Sequence, residues 1–160
     1  MSRPHSKPGP GSQRKEQYGV INQFVENLHK YLRGDSMELV KQIFDDENIY
    51  NSLKRDIKSE SSYRRVHELL SSVIDHAERL ISQGQKVEDI RRQLATELAK
   101  VRIIIKYQEA RGQIHSNIAK LLENAIRELY SDDIRDPKVL KNVLSNARIL
   151  IDALAVIAKE

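Results

Sequence analysis

From Val87 to Arg111 the chain runs without glycine or proline, and Val87, Ile90, Leu94, Leu98, Val101 and Ile105 recur at three- and four-residue steps. A helix turning about 100° per residue gathers these six side chains on one face. The same turn places Arg91, Ala95, Arg102 and Lys106 in a neighbouring sector. The spacing therefore predicts one long amphipathic helix with an apolar seam and, beside it, a cationic row roughly 20 Å long. Gly112 is its expected stop.

Similar patterns fill the rest of the 160 residues. Tyr18, Ile21, Val25, Leu28 and Leu32 mark a first helix within residues 14–33, closed by Gly34. Ser36 is the expected cap of a short helix with Met37, Val40, Ile43 and Phe44 inward. The run Asp45-Asp46-Glu47-Asn48 reads as a break or an exposed turn, after which Ile49, Leu53 and Ile57 resume. Ser61 or Ser62 is expected to cap a helix to about residue 83, with Val66, Leu69, Leu70, Val73, Ala77 and Leu80 inside and Gly84 at its end. A helix over 116–130 buries Ile118, Leu121, Leu122, Ala125, Ile126 and Leu129. Asp136-Pro137 is an N-cap followed by a first-turn proline, opening a helix to about residue 158 with Leu140, Val143, Leu144, Ala147, Ile151 and Leu154 inward. There are six glycines and four prolines, three of the prolines within the first ten residues, and aromatic residues make up only 5%. The fold class that follows is all-α, a compact bundle of five to six amphipathic helices with an aliphatic core. Residues 1–13, rich in Pro, Gly and Ser, form an expected disordered basic tail. Residues 14–160 form a single helical-bundle domain.

Chemistry-bearing patterns are sparse. With no cysteine there is no disulfide framework, thiolate metal site or cysteine nucleophile. His5, His29, His67, His76 and His115 lie nowhere three or four residues apart, so no zinc-type spacing occurs. Arg111 and His115 resemble the Arg and His of some helical ribonucleases, but the gap is short and contains Gly112. Asp45-Asp46 and Asp132-Asp133 sit at expected helix ends, where carboxylates serve as caps. No catalytic residue, metal site or cofactor is expected. No apolar run is long enough to cross a bilayer and no signal-peptide stretch opens the chain, so no membrane association is expected and the cytoplasm is the expected location.

The formal net charge is +4. Arg3, Lys7, Arg14 and Lys15 account for all of it, leaving 23 cations against 23 acids in the remainder. Any role in binding nucleic acid must therefore rest on how charge is distributed. Residues 84–112 carry seven cations and four acids, whereas 35–60 carry four cations and seven acids. Such an asymmetry suits a positive groove, and also head-to-tail association of copies.

Three motifs in order carry a resemblance. Lys100-x-Arg102 followed by Tyr107-x-x-Ala110-Arg111 looks like the Lys-x-Arg, Tyr and Ala/Gly-Arg region of the type III-A CRISPR small subunit, subunit two of the Csm complex. Ser61-Ser62-Tyr63-Arg64-Arg65 looks like that family's Thr/Ser-Ser-x-x-Arg helix start. Ile151-Asp152-Ala153-Leu154-Ala155 is similar to its closing Glu-Ala-aliphatic-Ala run, although the family's flanking aromatics and His are aliphatic here, as at Leu150, Val156 and Ile157. The resemblance spans about residues 61–160, and 14–60 have no matched counterpart.

It implies a non-catalytic subunit that lines the groove holding CRISPR RNA paired with target RNA. Its partners would be those RNAs, other Csm subunits and further copies of itself, in antiviral defence. Because base pairing reads the sequence, the protein needs only backbone contacts. The candidate RNA-binding residues are Arg64, Arg65, Arg91, Lys100, Arg102, Lys106 and Arg111, together with Lys141 and Arg148, which either widen this surface or are solvated charges. Tyr107 is either a buried ring or a group that stacks on RNA or donates a hydrogen bond to it, burial being the commoner fate at such spacing. The alternative is a structural helical adaptor that uses the cationic row to bind an acidic protein partner without nucleic acid. A third reading, a small helical nuclease, would rest on His115.

Overall fold

A computed structural model describes Gly19 and residues 21–160; the expected tail at 1–13 and the start of the first helix, 14–18, lie outside the described residues. Among the described residues there are eight helices and no strand. In chain order they are α1 (21–26), α2 (Leu28–Arg33), α3 (Ser36–Phe44), α4 (Glu47–Asp56), α5 (Glu60–Ser82), α6 (Val87–Ala110), α7 (Ser116–Leu129) and α8 (Pro137–Lys159). The all-α class agrees with the periodicity, but there are more helices than five or six. A turn at Asn27, an extended Gly34 and the Asp45-Asp46 break divide the first forty described residues into short pieces.

The apolar stripes set the packing. α8 buries ten residues, among them Leu140, Val143, Leu144, Ala147, Leu150, Ile151 and Leu154, and packs against α2, α3, α4, α5 and α7. α5 and α6 form an antiparallel hairpin across the Gly84 turn, and α7 closes on α6, α2 and α8. All six seam residues of α6 are buried, as are the six expected in α7. The buried apolar residues join in one cluster running from Ile21 to Ile157. At an aliphatic position such as Leu98, truncation to Ala in a core of this kind costs about 2–5 kcal/mol.

Helix starts follow extended residues whose side chains reach back to free backbone N–H groups. Asp35 accepts from the Met37 N–H at 2.9 Å, Asp46 from Asn48 at 3.0 Å, Ser59 from Ser62 at 3.2 Å and Asp136 from Lys138 at 2.8 Å. The caps thus fall at Asp35 and Ser59 rather than at Ser36 and at Ser61 or Ser62, because those serines are already helical. At the ends of α5 and α6, Gly84 (φ 74°) and Gly112 (φ 73°) take the left-handed conformation that closes a helix. Met37, Val40 and Phe44, expected inward, are exposed by 63%, 38% and 40%. α3 reaches the core only through Leu39 and Ile43, so its second apolar flank is left outside. Leu69 also sits at the surface edge of α5 rather than inside.

Polar groups inside the bundle fasten helices together. The Tyr63 hydroxyl donates to the Ile151 carbonyl at 2.6 Å, and burial pushes the phenol ionisation well above its ordinary value. The Asp56 carboxylate is buried and accepts from Asn117 of α7 at 3.2 Å. Asn146, fully buried on α8, donates to the carbonyls of Leu32 at 2.8 Å and Gly34 at 3.0 Å, closing the exposed end of α2. A β-carbon on Gly34 would lie 2.9 Å from the Lys30 carbonyl oxygen, so this close turn has no room for a side chain. Replacing Asn146 by Ala strands the buried Leu32 carbonyl and is expected to cost about 1–3 kcal/mol in denaturant unfolding. Asn142→Ala, at exposed and longer contacts to the same turn, should change stability by less than about 0.5 kcal/mol.

Candidate nucleic-acid interface

α6 packs mainly against α5 on one side and α7 on the other, and its third side is open. Along that side Arg92, Thr96, Lys100, Ile103, Tyr107 and Arg111 follow at three- and four-residue steps, all exposed. The stripe is about 28 Å long. Tyr107 is 56% and Ile103 67% exposed, so Tyr107 is a surface ring and not a core residue. The Arg111 guanidinium lies 5.4 Å from the Tyr107 ring centre, a cation–π distance.

None of Arg92, Lys100 and Arg111 makes an ion pair among the described residues, nor does Arg65 of α5. The reason at Lys100 is visible. Glu97, one turn earlier, accepts from or pairs with His76 of α5 at 2.8 Å and is not spent on the lysine. Arg65 and Lys100 border a cleft of about 580 Å³ between α5 and α6, floored by Leu69, Val73, Val101 and Ile104. Two cations without ion-pair partners thus flank a largely apolar floor next to the α6 stripe, with Glu97, held by His76, on the same wall.

The row expected from periodicity is present but turns toward α7. Arg91 donates to the Ser131 carbonyl at 3.2 Å and to Asp132 at 3.3 Å. Arg102 lies 3.9 Å from Glu123 and 3.5 Å from the Tyr130 hydroxyl. Lys106 lies 3.7 Å from Glu123 and 3.8 Å from Glu109. Every member of the row therefore faces a carboxylate, and only Glu109 comes from α6 itself.

The other candidates separate from both groups. Arg64 pairs with Glu60 one turn back at 2.8 Å, and Arg148 bridges from α8 to Asp75 and Glu78 of α5. Lys141 is exposed on α8 beside Asn142, at the turn between α2 and α3. The nine candidates thus do not form one ridge. Arg65, Lys100 and Arg111 lie on the open face of α5 and α6, while Arg91, Arg102 and Lys106 lie in the α6–α7 groove. Arg92 belongs with the first group, and its eight-residue spacing from Lys100 was the available sign. Arg127 belongs with the second, but it comes from α7 and no local pattern announces it.

The histidines among the described residues have structural partners. His115 caps α7, its Nδ1 accepting from the Asn117 N–H at 3.0 Å. His29 meets Glu128 at 2.7 Å and His67 meets Asp152 at 2.7 Å. Of the Arg111–His115 pair considered for a nuclease, Arg111 lies over the Tyr107 ring and His115 caps α7. Among the described residues no group of three or more His, Asp or Glu side chains is placed to hold a metal ion. No helix among them is long and apolar enough to cross a membrane. Comparison with protein families, with curated proteins and with solved structures finds no match to this chain.

The link that ends the α6–α7 groove is itself held in place. Arg33 grips Asp133 through both terminal nitrogens, at 2.8 and 2.7 Å, and Glu128 through Nε at 3.1 Å. The Arg33 guanidinium, and after it the Ser131 hydroxyl, hold the Asp133 carboxyl well below the usual carboxylate range. A depressed carboxyl stabilises the fold above its ordinary value near 4 and loses that contribution as pH falls through the folded-state value. Asp133→Asn should therefore be less stable than the wild type at pH 7. The difference between the two should shrink progressively as pH falls below about 4 in urea unfolding.

Proposed function

We propose that this chain is a non-catalytic, RNA-backbone-binding small subunit of a type III-A CRISPR ribonucleoprotein, working in the cytoplasm. The observation that carries the binding role is the open face of α6, where Arg92, Lys100 and Arg111 make no ion pair among the described residues and Lys100 shares a cleft with the equally unpaired Arg65 of α5. A cation with no protein partner exchanges condensed counterions for protein contact without first breaking an ion pair. Tyr107 and Ile103 between those cations add a surface on which a ribose or base can rest. Sequence-neutral contact of this kind suits a subunit whose RNA is read by base pairing. What supports the Csm-type reading is the order of the Lys100-x-Arg102, Tyr107 and Arg111 motifs, which resembles that subunit.

Contacts with further copies of the chain, or with other subunits of the complex, would use α3 and α4. There exposed Met37, Val40 and Phe44 stand beside Glu38, Asp45 and Glu47, an acidic apolar surface complementary to the basic apolar flank of α5 and α6. The same exposed cations suit one different reading, a helical adaptor that meets an acidic protein and no nucleic acid.

Salt titration of binding to unrelated single-stranded RNA separates the two. Lys100→Ala, Arg65→Ala and Arg111→Ala should each weaken binding equally across sequences and lower the salt slope by about one unit. Arg64→Ala and Arg148→Ala should change it little, since those cations are already paired. Wild-type chain that shows no salt-dependent RNA retention, and carries no CRISPR RNA when purified from its native cell, points to the adaptor.

A further inference from the structure

In the α6–α7 groove one carboxylate stands among three cations. Glu123 of α7 is 8% exposed and lies 3.7 Å from Lys106, 3.9 Å from Arg102 and 3.9 Å from Arg127. Charge-assisted hydrogen bonds close to about 2.7–2.9 Å, so none of these three contacts is one. The Oε1 atom of Glu123 and the Nε–H of Arg102 are buried with no hydrogen-bond partner, and Nε of Arg91, further along the same groove, is likewise unpartnered. The groove therefore holds more inward-facing donors than acceptors, gathered from two helices around a carboxylate too far away to satisfy them. At the Arg91 end it borders a polar cavity of about 380 Å³ lined also by Arg92, Tyr130 and the two carboxylates Glu88 and Asp132, so the excess of donors is confined to the Arg102–Lys106–Arg127 end.

We infer that Arg102, Lys106 and Arg127 form a binding site for a phosphate group, and that Glu123 holds this site in the ligand-free chain as an internal stand-in for the phosphate. A tetrahedral phosphate is larger than a carboxylate and carries more acceptor oxygens, so it spans the gaps that Glu123 leaves open and accepts from the unpartnered Arg102 Nε–H. Arg91 lies eleven residues before Arg102, about 16 Å along α6, which leaves room for two or three backbone phosphates between them. The identity of the ligand as RNA backbone rests on the function proposed above; the site itself does not. Glu123 sets the affinity, because its charge opposes the incoming phosphate while holding the three cations in place.

Full-length chain is titrated with inorganic pyrophosphate and, separately, with single-stranded RNA, following arginine Nε–H resonances by NMR and RNA affinity by fluorescence anisotropy. Pyrophosphate should shift the Arg102 and Arg127 resonances. Glu123→Gln should tighten pyrophosphate binding roughly three- to ten-fold, as removal of one charge about 6 Å from a phosphate gives in a solvent-rich dielectric. Arg127→Ala, at a side chain 61% exposed and safe for folding, should weaken it. RNA that competes with pyrophosphate identifies the ligand as backbone, whereas RNA that does not compete assigns the site to free oligophosphate. Unchanged or weaker binding in a folded Glu123→Gln protein, or resonances of Arg102 and Arg127 that ignore pyrophosphate, overturns the site. Loss of RNA binding on Lys100→Ala in that same case leaves the function proposed above intact.

Discussion

Burial of α8 on most of its circumference is the constraint on which the rest of the molecule depends. A helix with ten buried positions cannot sit at an edge, so α2, α3, α4, α5 and α7 are drawn around it. With those places taken, α6 is left to pack through a single seam against α5 and α7. Cations and other exposed residues fill the rest of its surface. The helix with the most usable outer face is thus peripheral because another helix holds the centre.

That arrangement also explains the two classes of cation on α6. Positions facing α7 meet carboxylates supplied by a neighbour, Glu123 and Asp132, and become partly neutral. Positions facing outward make no ion pair among the described residues, and near Lys100 the adjacent acid, Glu97, is engaged by His76. Surface ion pairs add little to stability, so their main consequence here is that outward cations meet a ligand directly while those facing α7 meet it in competition with a carboxylate.

The helices were legible because their signals are local. The six-residue seam of α6, the Asp136-Pro137 start of α8 and the glycines at 84 and 112 all act within a turn or two of their own position, and each lies in the structure where periodicity puts it. The short N-terminal helices were less so. Met37, Val40 and Phe44 have the same spacing as core residues, and only the way α3 rests on α8 turns them outward. The candidate site was legible as a list of cations on α6 but not as a surface. Which of them are neutralised depends on residues about 17 to 41 positions away along the chain, and helix rotation decides whether Tyr107 points in or out. Neither leaves a trace in local spacing.

Asn146 has a further consequence. Its amide reaches from the middle of the central helix to the last carbonyls of α2, so the N-terminal covering helices cannot lift away without leaving a polar group stranded in a dry interior. Opening at that seam is then coupled to loosening of the bundle axis itself. The short helices behave as part of the same cooperative unit as the long ones, rather than as a detachable lid.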